Sequence, residues 1–81
     1  MEGHMPRYYF DIQNGKTFPD NVGSEHDNLD GARFEVRRAL AEIAAGVEKG
    51  KDAFQVRMDV RDDAGNRVIT ATLMMMLENA H

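Results

Sequence analysis

Eighty-one residues give room for one domain and not for two separate cores. Ten Lys and Arg against 14 Asp and Glu leave a net charge of −4, which argues against a surface built mainly to neutralise phosphate. The absence of cysteine removes disulfides and thiolate metal sites and fits a reducing interior, and no apolar run approaches the roughly 18 residues that a membrane helix needs.

Met1-Glu2-Gly3-His4 reads as a cloning remnant, so the native start is expected at Met5 and a single small domain over 5–81. That start lacks the basic-then-apolar order of a signal peptide, which makes the cytoplasm the expected compartment. From Arg7 to Gln13 the apolar Tyr8, Phe10 and Ile12 alternate with Arg7, Tyr9, Asp11 and Gln13, the signature of a half-buried strand. Asn14-Gly15 marks a hairpin. A two-residue turn pairs Ile12 with Thr17, whereas a three-residue loop through Lys16 pairs Ile12 with Phe18 and turns Phe18 to the core. The second is favoured, because burying a phenylalanine is worth roughly 1.5–3 kcal/mol. Pro19 limits this strand to a short edge piece.

Asp20 to Asp27 reads as a loop, with Asp20 and Gly23 as turn punctuation. Asn28 is a good N-cap, with Asp30 in the first turn. Leu29, Ala32, Val36, Leu40, Ile43 and Val47 then recur at steps of three and four and form one apolar stripe. The spacing predicts a helix from about Leu29 to Glu48 that ends at Lys49-Gly50, with Gly31 and Gly46 as weak points. Phe54, Val56, Met58 and Val60 alternate with Gln55, Arg57, Asp59 and Arg61 in a second clean strand. Asp62 to Asn66 is turn material. The last strand, Arg67 to about Leu77, is apolar on both faces. A four-residue loop pairs Val60 with Ile69, Met58 with Ala71, Val56 with Leu73 and Phe54 with Met75, whereas a slip of one residue sets Met58 against Thr70.

The expected architecture is α+β: a β-β-α-β-β domain whose antiparallel sheet of three or four strands carries one amphipathic helix on one face. A fully antiparallel sheet sets the first strand beside the third. A domain this size buries only about 60% of the surface its unfolded chain exposes, so it is marginally stable, and self-association is expected.

The opening Pro6-Arg7-Tyr8-Tyr9-Phe10-Asp11, Pro19-Asp20 with Gly23, the helix start around Leu29, Ala32 and Arg33, and the hairpin Val60-Arg61-Asp62-Asp63-Ala64-Gly65 together carry a resemblance. The chain resembles a family of short bacterial proteins, common in alphaproteobacteria, known as a domain of unknown function. The resemblance covers nearly all of the chain and implies the same small fold and a bacterial origin; it brings no activity, cofactor or site. Phe34, where a small residue is more usual, and the closing Met74-Met75-Met76-Leu77 depart from the pattern.

His26-Asp27-Asn28-Leu29-Asp30-Gly31 superficially suggests a calcium loop. It begins with His26 in place of Asp and has Arg37 where the bidentate Glu belongs, so a helix cap behind a solvated loop is expected. His26 with Asp20, Glu25 or Asp27 offers an acid–base pair but lacks a nucleophile, and no glycine-rich phosphate loop is present; neither enzyme activity nor a cofactor is expected.

Two surfaces remain. Arg7, Tyr9, Arg57 and Arg61 share the outer sheet face with Asp11, Asp59, Thr70 and Thr72. Aromatic and arginine side chains on an open sheet stack single-stranded bases in some modules, which makes this an anionic-ligand candidate. Cross-strand Arg–Asp pairing explains the same residues and is favoured, leaving nucleic acid a disfavoured partner. Phe34 with Ala41 and Ala45 on the far side of the helix, and Val68, Met74 and Met76 on the outer face of the last strand, are apolar residues the core has no use for. A homodimer or partner surface there is the leading functional expectation.

Overall fold

The structure, a computed structural model, describes residues 5–47 and 51–80. Its order is β1 (Arg7–Gln13), β2 (Thr17–Phe18), β3 (Ser24–Glu25), α1 (Leu29–Ala45), β4 (Ala53–Arg61) and β5 (Arg67–Met76). All pairings are antiparallel, in the order β2-β1-β4-β5 with β3 also on β1, so the expected α+β class is observed, and the first strand lies beside β4, the third of the four expected strands.

Sidedness follows from the alternation. Val56, Met58 and Val60 of the central strand are fully buried, and with Tyr8 of β1 they meet Ala32, Val36 and Leu40 of α1. Phe10, Ile12, Ala39, Ile43, Ile69, Ala71 and Leu73 pack around that core, so the helix-facing side of β5 is Ile69, Ala71 and Leu73, not the threonines. The β4–β5 pairs are those expected: Val60 with Ile69, Met58 with Ala71, Val56 with Leu73 and Phe54 with Met75. The route to them differs. Arg61 pairs with Arg67, and a bulge takes up Val68 before Ile69 resumes the register. Asp62 shapes the turn by accepting the Ala64 and Asn66 amides, and Gly65 supplies its positive φ.

Three expectations need correction. Ile12 does pair with Phe18, around a loop in which Gly15 has a φ of +87°, yet Phe18 is 51% exposed. Strand β2 is the outermost strand and two residues long, and the helical stripe packs over Tyr8 and β4, so no described part of the helix covers Phe18. The helix ends at Ala45, not Glu48: Gly46 is already outside it, with its amide donating to Glu42 and Ile43 carbonyls, because glycine forgoes about 1 kcal/mol of helix propensity and caps readily. Lys49 and Gly50, the expected terminus, lie outside the described residues, as does 1–4. Finally, the Asp20–Asp27 loop contains a strand, since Ser24 and Glu25 pair with Tyr8 and Arg7.

The N-terminal cap is as expected. The Asn28 side chain accepts the Gly31 amide at 3.1 Å and Asp30 sits in the first turn. Gly31 is tolerated in the helix because a Cβ there would press on His26 at 3.2 Å.

Candidate functional site

The outer sheet face combines cross-strand neighbours with one loop. Asp11 and Asp59 stand directly opposite each other on β1 and β4, a like-charge pair that costs stability unless each is answered separately. Asp11 is answered on the diagonal by Arg61, which donates through Nε at 2.7 Å and a terminal nitrogen at 3.1 Å. Asp59, 7% exposed, accepts from Gln13, Arg57 and Thr70 at 2.9, 3.2 and 2.8 Å. Arg61 also donates to the Asp20 carbonyl and lies 5.0 Å from the centre of the Tyr9 ring.

Asp20 ties the loop to the sheet. Its carboxylate accepts the Phe10 amide of β1 and the Val22 and Gly23 amides of its own turn, all at 3.0 Å, while its own amide donates to Asp11 at 2.8 Å. The free edge of β1 is thereby covered in three pieces: β3 at Arg7 and Tyr8, the Asp20 carboxylate at Phe10, and β2 at Ile12 and Gln13. Gly23 is required in this arrangement. Its φ is +71°, and a Cβ would fall 2.8 Å from the Tyr8 carbonyl oxygen and 2.9 Å from the Tyr9 ring.

These contacts set the charge states. Hydrogen bonding from Arg61 holds the Asp11 carboxyl below its ordinary range, with the Asp20 amide adding to it against a desolvation penalty. For Asp20 desolvation is the largest influence and works against the charge, but the Gly23, Phe10 and Val22 amides together with Arg61 outweigh it, and its carboxyl also titrates low. The pairing with Asp11 raises the Arg61 guanidinium further.

The four residues of the anionic-ligand candidate therefore share one face, and their charges are engaged within the chain. Arg7 pairs with Glu25 at 3.2 Å and donates to the Val22 carbonyl, Arg57 pairs with Asp59, Arg61 with Asp11, and the Tyr9 ring lies close to both Arg61 and Gly23. His26 is likewise used in packing. Its ring lies 6.1 and 5.9 Å from those of Tyr8 and Phe10 and 3.2 Å from the Ser24 hydroxyl. Asp20, one of its three candidate acidic companions with Glu25 and Asp27, is committed to backbone amides, and Glu25 pairs with Arg7. Among the described residues no three His, Cys, Asp or Glu side chains come together as a metal site, and Asn28 of the calcium-like segment caps the helix.

The apolar candidates fall in two places. Phe34, 68% exposed, stands on the far side of α1. Val68 sits in the bulge, and Met74 and Met76, 64% and 63% exposed, lie at the other end of β5, where with Met75, Ala53 and Phe54 they line a shallow groove. Leu77 extends this patch and is 57% exposed. Among the described residues β5 has no strand on its far side. The last strand, expected with its outer face or the Phe34 flank of the helix as a contact, thus presents its backbone edge along an uncharged run from Val68 to Leu77.

The profile of the DUF6894 family, a domain of unknown function, matches residues 7–74. The chain belongs to that family. No curated protein and no solved structure matches it. The match runs from the first residue of β1 into β5 and so spans the core, the Asp11–Arg61–Asp20 cluster and the Gly23 turn, and it stops at Met74, at the start of the exposed methionine patch. No helix of the described residues is long and apolar enough to cross a membrane.

Proposed function

We propose that this DUF6894 domain is a small non-enzymatic interaction module of the bacterial cytoplasm that self-associates through β5. One observation carries the reading: a ten-residue strand forms an edge of the sheet, has no charged residue from Val68 to Leu77, and exposes Met74, Met76 and Leu77 beside it. Natural sheets protect such edges with charge, proline, bulges or short strands, because unpaired amides and carbonyls recruit another strand. Here the one bulge lies at the Arg67–Val68 corner, on the side of β5 that faces β4, and the open side carries none of these devices. Methionine fits a contact surface, being flexible and polarizable. The engaged state of His26 and Asp20 supports leaving catalysis out of the proposal.

Sedimentation of the chain at high micromolar concentration tests it. A dimer is expected, with Met74→Glu shifting it to monomer and Phe34→Glu leaving it in place. A strict monomer overturns the proposal. Anionic-ligand binding on the outer face has less support, since each of its arginines already meets a carboxylate of the chain. Titration with short single-stranded DNA and RNA at two salt concentrations is expected to give no salt-dependent signal.

A further inference from the structure

Resting on that reading, we infer that two copies join their β5 strands antiparallel about a two-fold axis at Thr72, forming one continuous sheet with both helices on the same side. A two-fold axis relating neighbouring antiparallel strands stands perpendicular to the sheet, so a residue on the axis faces its own counterpart and like faces stay together. Placed at Thr72, the axis pairs every residue from Val68 to Met76, all uncharged. Moving it to Ala71 draws Arg67 into the apolar run, and moving it to Leu73 leaves Val68 and Ile69 without partners inside the strand.

The side chains match in that register. On the helix side Ile69 lies beside the partner's Met75 and Ala71 beside the partner's Leu73, so bulky and small residues alternate across the seam. On the outer side Thr70 meets the partner's Met74, Val68 the partner's Met76, and the two Thr72 side chains face each other, a favourable cross-strand pair. Charge selects the direction. Arg67 and Glu78 bracket the run, and antiparallel pairing brings each Arg67 end to the partner's Glu78 end, whereas parallel pairing sets like charges together.

The helices agree with this direction. Arg33 and Arg37 border a groove over Ile69, Thr70 and Ala71 and make no ion pair among the described residues. Ile43 and Gly46 lie instead over Phe54–Val56, which pair with Leu73–Met75. The two-fold axis therefore points the arginine end of each helix toward the Ile43 end of the other, keeping the arginines apart. Pairing also stops at two copies, because the opposite edge of the sheet is covered by β3, the Asp20 carboxylate and β2.

The chain has no cysteine, so introduced thiols report the register directly. Cα atoms of directly opposed antiparallel residues are about 4.5–5.5 Å apart, within disulfide range. Under copper-phenanthroline oxidation Thr72→Cys is expected to form covalent dimer at least tenfold faster than Thr70→Cys or Phe34→Cys. A mixture of Thr70→Cys with Met74→Cys is expected to cross-link in preference to either alone. If sedimentation shows a dimer but Phe34→Cys cross-links fastest, or the mixture shows no preference, the Thr72 arrangement is overturned and self-association stands. A strict monomer overturns both.

Discussion

Where β1 meets β4, the polar side chains of the sheet answer one another. Asp11 meets Arg61, Asp59 meets three donors, and Asp20 occupies the backbone between β2 and β3. Where β4 meets β5, the outer face changes within a few residues from Thr70 bonded to Asp59 to exposed Met74 and Met76, beside an edge that no strand of the described residues covers. The first region is finished by the chain itself, and the second leaves apolar side chains and a strand edge exposed among the described residues. The contrast separates residues that serve stability from residues available for recognition.

That separation can be broken at four points. The largest effect is expected from Asp59→Ala, which strands the Gln13 amide, the Arg57 guanidinium and the Thr70 hydroxyl. Urea unfolding should show a loss of about 2–3 kcal/mol. Gly23→Ala comes next, at about 1–3 kcal/mol by the same measurement, because a positive φ and a close approach to Tyr8 and Tyr9 coincide there. Acid gives a smaller and graded loss. Asp11 and Asp20 titrate below their unfolded values, so their stabilisation is complete above the ordinary carboxylate range and disappears as pH falls through the lowered values. Melting temperature followed from neutral to acid pH should drop in that window, and Asp11→Asn or Asp20→Asn should flatten the drop. Least affected is the fold of Met74→Glu, whose stability at concentrations too low for association should stay within about 0.5 kcal/mol of the parent.

The core was readable because alternation at period two and a stripe at 3.6 need no knowledge of distant partners. Val56, Met58, Val60, Val36 and Leu40 announce themselves in that way. The β4–β5 register followed from keeping Ala71 and Leu73 on the apolar side. Phe18 takes the pairing with Ile12 that the gain from burying it favours, yet it is half exposed, because whether a helix stands above it depends on the width of the sheet. Asp20 looked like turn punctuation, and its local bonds to Val22 and Gly23 fit that. Its bond to Phe10 joins segments that only the folded chain brings together. The end of α1 depended on which of two glycines stopped it, a choice their propensities do not make.

The middle of the β1 margin is closed by a side chain instead of a strand, and that closure is firmest while Asp20 keeps its charge. Protonation weakens the bond from the Phe10 amide, so acid acts first on the border that lies between β2 and β3 and leaves the β4–β5 seam, which has no such carboxylate, unaffected.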